Sequence, residues 1–195
     1  MLFMTLRRTV LSIAACAPLA AWAGSDEAPL SAYWVRHEHE LNYVGYTAHY
    51  SCDGLRDTLK QLLRAAGARD DVKVVMACSN PIQGPSRIAS ATVTFYTLAL
   101  APPAPAATGS PAAVPAPGAW KRVEWRAAHP VWLGEGDCEL IEHFDRELLP
   151  LFTTRNRVSH LECVPHETVV GGLSLAFESL APLPRVAQAA APRPQ

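Results

Sequence analysis

The stretch that decides the fold runs from His49 to Cys78 and reads HYSCDGLRDTLKQLLRAAGARDDVKVVMAC. A helix opens at Cys52, Gly67 stops it, and a strand then closes on Cys78. The apolar helix residues recur at three- and four-residue spacing, which is typical of one buried face; they are Leu55, Leu59, Leu62, Leu63 and Ala66. We therefore predict a unit in which an amphipathic helix connects two strands.

A second stretch, from Gly136 to Cys163, repeats the plan as GDCELIEHFDRELLPLFTTRNRVSHLEC. Asp137 precedes a helix that opens at Cys138, and its apolar residues again share one face, namely Ile141, Phe144, Leu148 and Phe152. Two helices on one face of a mainly antiparallel sheet would bury both apolar faces. The sequence thus predicts an α+β fold of two pseudo-symmetric strand–helix–strand–strand units, ferredoxin-like in spirit.

Alternation along the strands predicts which side chains face the core. In the first strand the core-facing set is predicted to be Val44, Tyr46, Ala48 and Tyr50. In the last strand of each unit it is predicted to be Val93, Phe95 and Thr97, and Leu173, Leu175 and Phe177.

The cysteines predict one disulfide in each unit. A helix of about 14 residues rises roughly 21 Å, and a strand of six or seven residues returns roughly 20–23 Å. The second cysteine of a unit therefore comes back within disulfide reach of the first. We predict the bridges Cys52–Cys78 and Cys138–Cys163. The alternative, activated thiolates at the helix starts, lacks the Cys-x-x-Cys motif of redox enzymes.

The N-terminus has the pattern of a secretory signal peptide, predicted to span residues 1–23. Arg7 and Arg8 precede an apolar run, and Ala21 to Ala23 supply a cleavage site before Gly24. Export would leave four of the five cysteines, an even number that suits an oxidising compartment. We expect a periplasmic or secreted protein.

Two alternatives remain open for this segment. Ile13 to Cys16 is similar to a bacterial lipobox, which would make the protein an outer-membrane lipoprotein acylated at Cys16. The segment could also stay uncleaved as a short membrane anchor, although its apolar run is too short to span a bilayer.

The rest of the chain is predicted to form one α+β domain over residues 24–183. Unit one covers 41–100 and unit two covers 119–183, with a Pro/Ala-rich loop at 101–118 between them. That loop is either the tip of a hairpin or an interdomain linker. Residues 184–195 are predicted to be a disordered tail.

Charge excludes two classes of partner. Removing residues 1–23 removes two arginines and no acid, so 15 basic residues face 18 acidic ones, a net charge of −3. A chain without a basic run has no electrostatic attraction for nucleic acid or for an anionic membrane surface. We therefore expect no nucleic-acid partner and membrane association only through a lipidated Cys16.

The densest set of metal-ligand residues is His37-Glu38-His39-Glu40. On a strand, His37 and His39 would project from one face with Cα atoms roughly 6.6 Å apart, and two imidazoles so placed could share Zn²⁺ or Cu²⁺. The simpler interpretation is an exposed polar strand end.

Six acidic residues surround the start of the second helix: Glu135, Asp137, Glu139, Glu142, Asp145 and Glu147. The first three suit the positive end of a helix, and we interpret the rest as a solvated face. A pair of catalytic carboxylates is the alternative.

The phrases GYTAHYSCDGLRDTLKQLLRAAGARDDVKV and GDCELIEHFDRELLPLFTTRN resemble a family of small secreted proteins of Gram-negative bacteria that has no assigned activity. The resemblance covers most of the chain after residue 23, apart from the Pro/Ala-rich loop and the tail. It implies a periplasmic location and transfers no catalytic residue.

Nothing in the sequence identifies a reaction, because the chain has no Gly-x-Ser-x-Gly, no phosphate loop and no His-Glu-x-x-His. We predict no catalytic residue and no cofactor. The expected function is a non-enzymatic binding or envelope-associated module, with a protein or a small molecule of the envelope as ligand. The alternatives are a metal-binding protein that uses His37 and His39, and an enzyme of unrecognised type.

Overall fold

A computed structural model describes residues 28–77, 85, 87–101 and 114–183. The strands are β1 (Leu30–Val44), β2 (Lys73–Ala77), β3 (Ile88–Ala99), β4 (Pro115–Arg126), β5 (Thr154–Leu161) and β6 (Leu173–Pro182). The helices are α1 (Cys52–Ala65) and α2 (Cys138–His143), and α2 follows a 3-10 turn (Glu135–Asp137) and continues as a π turn (Phe144–Leu148) and a second 3-10 turn (Leu149–Leu151). None of the helices in these ranges is long and apolar enough to cross a membrane.

All six strands form one antiparallel sheet in the order β2-β3-β1-β4-β6-β5. Unit one contributes β2-β3-β1 and unit two contributes the same pattern reversed, β4-β6-β5. In each unit the third strand therefore lies between the first strand and the strand that follows the helix. The predicted α+β fold with two repeated units is confirmed.

Unit one begins earlier than predicted, and its first strand has the opposite parity. β1 starts at Leu30, and its residues 33–44 pair with β3 along their whole length. Within this stretch Leu41 and Tyr43 are buried, so Val44, which was predicted to face the core, has the wrong parity. Tyr46, Ala48 and Tyr50 lie beyond the end of β1, and Tyr50 packs against the core from there. The chain turns away at Gly45, where a Cβ atom would lie 2.3 Å from the Tyr43 hydroxyl. Only glycine fits that approach.

The Pro/Ala-rich segment is shorter than predicted. Pro115 to Gly118 belong to β4 and pair with β1 at four positions, from Tyr33–Pro115 to Leu30–Gly118. Proline is tolerated at the first residues of a strand, where missing donors cost least. Residues 102–113 of the predicted loop lie outside the described part of the chain. So do residues 1–27, which include the predicted signal peptide, and residues 184–195, the predicted tail.

Neither predicted role of that segment is correct. A hairpin would make β3 and β4 neighbours, but β1 lies between them. An interdomain linker would join separate bodies, but β1 of unit one pairs directly with β4 of unit two in the common sheet.

Both helices bury their apolar faces in one core. The predicted face of α1 is buried, Ser51 caps the helix by accepting a hydrogen bond from the Gly54 N–H, and Gly67 ends it at a φ of 106°. The predicted α2 face is buried too, and its rings reach both units: Phe152 stacks on Phe95 at 5.6 Å between centroids, and Phe144 meets Trp125 at 5.0 Å. The predicted parity of β3 and β6 is confirmed by burial.

A second, smaller apolar cluster lies on the other side of the sheet, at the joint between β1 and β4. Its buried members are Ala32, Leu98 and Leu180. Strand alternation points these side chains away from the main core, and Trp34 and Trp120 pack over them. The guanidinium of Arg69 lies 5.4 Å from the Trp34 ring centroid, and that of Arg155 lies 4.3 Å from Trp120. These cation–π pairs cover the short joint between the units.

The disulfide of unit two is present as predicted. Cys138 and Cys163 are joined with a Cα–Cα distance of 5.5 Å, which closes a loop of 25 residues. Cys52 is also disulfide-bonded. Its predicted partner, Cys78, lies outside the described residues, so the unit-one pairing stays a prediction. Neither helix start presents a free thiolate.

Candidate functional site

The second helix leaves regular geometry where its charged residues begin. α2 is regular to His143, and the next five residues form a π turn that carries Asp145, Arg146 and Glu147. The wider turn rotates the side chains that follow it, and π turns are frequent at functional sites. We call the side of this turn next to β5 the groove side, and the side next to β1 the histidine side.

The groove side lines a cavity of about 560 Å³ between the α2 segment and β5. The lining residues are Glu142, Asp145, Arg146, Pro150, Arg157, Ser159 and Leu161. Two acids and two arginines thus border one open, mainly polar depression of the surface.

Asp145 is the most constrained charge in the groove. Its residue is only 7% exposed, and Oδ2 accepts hydrogen bonds from the Arg157 guanidinium and, at 3.3 Å, from the Ser159 hydroxyl. Oδ1 is buried and has no hydrogen-bond partner among the described residues. A buried carboxylate oxygen without a partner costs on the order of 1–3 kcal/mol. Asp145 therefore has one oxygen held by Arg157 and Ser159 and a second, enclosed oxygen that no described residue pairs.

On the histidine side, two imidazoles approach the carboxylate of Glu147. His143 Nδ1 lies 3.2 Å from one oxygen, and His39 Nε2 lies 3.7 Å from the other. Arg146 Nη2 donates to His143 Nδ1 at 2.8 Å and to Glu147 at 3.0 Å. Burial alone would raise the pKa of Glu147, but the Arg146 guanidinium that donates to it holds that pKa below its usual value. The carboxylate is therefore ionised at neutral pH.

His37 and His39 share a face, as predicted, but the face is the helix-covered one and not a solvent-exposed strand end. It is the face on which Leu41 is buried. His37 Nε2 lies 2.8 Å from the Thr97 hydroxyl, its ring packs on Phe95 at 5.3 Å, and burial lowers its pKa. His39 turns to Glu147 instead. His37 thus has a hydrogen-bond partner in Thr97, whereas His39 Nε2 makes only the longer 3.7 Å approach to Glu147 and no hydrogen bond among the described residues.

The proposed metal site is not assembled by these contacts. Within residues 28–77, 87–101 and 114–183, no group of three or more His, Cys, Asp or Glu side chains is placed to hold a metal ion. Metal binding by His37 and His39 remains an expectation from the sequence alone.

The interpretation of the later acids as a solvated face is wrong for Asp145, and Glu139 is buried as well. Glu139 accepts hydrogen bonds from the backbone N–H groups of Tyr46 at 2.7 Å and Thr47 at 3.0 Å, so it anchors the β1–α1 loop to α2. This role is structural, because no oxygen of Glu139 faces the groove lining.

Sequence reasoning placed Asp145 on a solvated face and missed its burial, although the sequence contained a signal for it. Asp145 follows Ile141 by four positions, which places it on the apolar face of a helix. An acid at such a position is either buried with hydrogen-bond partners or marks a point where the apolar face of the helix is interrupted. Arg157 and Ser159 carry no comparable signal, because they come from a strand whose partners are set by the tertiary fold.

The groove therefore brings two acids, two arginines and a hydroxyl to one open depression. Such a set suits recognition of a small ligand that carries both an ammonium or guanidinium group and an anionic group. Comparison of the chain with protein-family models, with curated proteins and with solved structures finds no match.

Proposed function

We propose that this protein is a non-enzymatic binding module of an extracytoplasmic compartment, and that it binds a short zwitterionic peptide in the groove between α2 and β5. The observation that carries the proposal is Asp145, a buried carboxylate with one oxygen held by Arg157 and the other without a partner among the described residues.

The fold itself does not require this carboxylate. The cysteines that open the two helices are 86 positions apart, and the same offset aligns Asp145 with Leu59 of α1, which is fully buried. A leucine fills the equivalent position of the same supersecondary unit without polar partners. A buried charge that a scaffold can omit is better explained by a ligand than by stability.

The charges around Asp145 favour a ligand with two charged ends. Glu142 adds a second acid for a ligand ammonium group, while Arg146 and Arg157 offer donors for a carboxylate. A peptide backbone also supplies donors and acceptors for the Ser159 hydroxyl.

Calorimetric titration tests the proposal. Glycylglycine should bind the wild-type protein, whereas acetate and methylammonium, which each carry one of its charges, should bind at least about tenfold more weakly. Asp145→Asn keeps the side-chain shape and removes the charge, so glycylglycine binding should be lost.

Glu178→Gln is the matched control, because Glu178 also pairs with an arginine of β5, Arg155, but outside the groove lining. This control should bind glycylglycine like the wild type. If glycylglycine gives no heat with the wild-type protein, or binds Asp145→Asn equally well, the proposed function is wrong.

The proposed location has its own support and its own test. The Cys138–Cys163 bridge is consistent with an oxidising compartment, and the Arg7-Arg8 and Ala-Trp-Ala pattern is consistent with export. Mass spectrometry of the protein from its native cell should find an N-terminus at Gly24. An acylated terminus at Cys16 would place the same module on a membrane as a lipoprotein.

A further inference from the structure

Arg146 belongs to both sides of the π turn. Its side chain lines the groove, while its Nη2 atom lies between His143 Nδ1, at 2.8 Å, and Glu147 Oε1, at 3.0 Å. A guanidinium only donates hydrogen bonds, so the Nδ1 atom that it contacts has to be an unprotonated acceptor. With Arg146 as the donor, we assign His143 as the neutral tautomer that carries its proton on Nε2.

The same contacts show what a proton on Nδ1 would change. Nδ1 and Glu147 Oε1 are 3.2 Å apart, already within hydrogen-bond distance. In neutral His143 both atoms are acceptors, and Arg146 Nη2 bridges them. A protonated Nδ1 would donate directly to Glu147, would no longer accept from Arg146, and would repel the guanidinium.

The imidazole of His143 is partly open to water and has few charged neighbours. Its side chain is 16% exposed, so it is covered but not sealed from water. On its own helix it faces Arg146 and Glu147. From β1, the Tyr43 ring contacts it at 5.6 Å, and His39 approaches it through the shared Glu147. Among the described residues, Glu147 is the one acid in contact with the imidazole.

We propose that protonation of His143 transfers Glu147 from Arg146 to the imidazolium and releases Arg146 toward the groove. The consequence for binding rests on the proposed function: a guanidinium freed from His143 is available to the carboxylate end of a zwitterionic peptide. The groove should therefore bind more tightly in mildly acidic solution than at neutral pH. The comparison is made between about pH 7.5 and about pH 5.5, a range in which histidine side chains can change charge.

Two measurements on the full chain test this switch, and only one needs a ligand. The ¹⁵N side-chain NMR signals of Arg146 should report a restrained guanidinium at about pH 7.5 and a mobile one at about pH 5.5. The dissociation constant of glycylglycine should fall about fivefold over the same range, as expected for one added hydrogen bond.

His143→Gln separates the switch from other acid effects. The glutamine amide oxygen can accept from Arg146 but does not titrate, so both readouts should become independent of pH in this variant. His160→Gln is the matched control: His160 lies on β5 between groove residues, contacts Glu162, and is not part of the groove lining. It should keep the wild-type pH response.

The outcomes distinguish the two proposals. Arg146 signals that stay unchanged with pH, or that respond equally in His143→Gln, would overturn the switch. Signals that respond only when His143 is present support it, even if glycylglycine fails to bind, and in that case the proposed function falls while the switch stands. Binding of glycylglycine that does not vary with pH would retain the groove and reject its regulation.

Discussion

The two units of the sheet have the same plan but differ around their helices. In unit one, α1 is a regular helix of 14 residues with a fully buried leucine, Leu59, at its centre. In unit two, the equivalent segment changes from α to π geometry, and Asp145 occupies the position that corresponds to Leu59. The same fold thus accommodates an apolar helix and a charged one.

In the first strand of each unit the difference is reversed: β1 of unit one carries the polar residues and β4 of unit two the apolar ones. The 86-residue offset aligns His37 and His39 of β1 with Val123 and Trp125 of β4, which are buried core residues. Unit one is therefore polar on its strand and unit two is polar on its helix. Because β1 faces the π turn, His39 and Glu147 meet. Positions that break the internal repeat thus lie on both sides of the π turn, Asp145 on the groove side and His39 on the histidine side.

Exchanging the central helix residues should produce the largest effect. Leu59→Asp would bury a carboxylate in unit one without an arginine partner, and we expect it to lower the free energy of unfolding by about 4 kcal/mol. Asp145→Leu copies the unit-one residue into unit two. It should change stability by less than about 1 kcal/mol, because Arg157 is half-exposed and can be hydrated.

Urea unfolding of both variants measures this asymmetry, and titration with glycylglycine should show that Asp145→Leu no longer binds. A loss of several kcal/mol in Asp145→Leu would mean that the carboxylate supports the fold, and the functional interpretation of the comparison would then fail.

The disulfides test whether each unit is closed by a bridge of its own. Cys163→Ser opens the 25-residue loop of unit two and should lower the free energy of unfolding by roughly 3 kcal/mol. Cys78→Ser should have a similar effect if unit one is closed in the same way. Peptide mapping without reduction should recover a Cys52–Cys78 peptide, whereas a peptide that links the two units would break the two-unit description.

A smaller effect is expected from His37 on β1, the polar strand of unit one. Burial lowers the pKa of His37, so the folded protein takes up this proton less readily than the unfolded chain. The resulting stability is present above about pH 6.5 and is lost as the pH falls. His37→Val, the unit-two residue, should therefore lose less stability than wild type between about pH 7.5 and pH 5.

Thermal unfolding at several pH values measures the difference for His37→Val. The Thr97 hydroxyl keeps its hydrogen bond to the Leu151 carbonyl at 3.0 Å, so the variant should fold normally at neutral pH. An unchanged slope of stability against pH would show that another group controls the acid response.

The smallest effect is expected from replacing the segment that connects the two units. Residues 102–113 are mostly Ala and Pro and lack the apolar side chains that offset ordering entropy. A Gly/Ser replacement of equal length should shift the melting temperature by less than about 3 °C. A larger loss would show that the segment contributes to the joint covered by Trp34 and Trp120.

The sequence by itself determined the elements that depend on local periodicity and length. The buried faces of both helices, the stop at Gly67 and the Cys138–Cys163 bridge are confirmed. Each follows from spacing along one short segment, because helix rise, strand rise and turn geometry are properties of the local backbone.

Only the tertiary structure decided which polar residues are buried and what they contact. The core-facing parity of β1 depends on β3 and the helices beyond it, so Val44 and Leu41 could not be distinguished by alternation alone. The partners of Asp145 come from β5, and Glu147 receives its second histidine from β1, more than a hundred residues earlier. Burial and pairing of a charge depend on atoms distant in sequence, and local pattern carries no information about them.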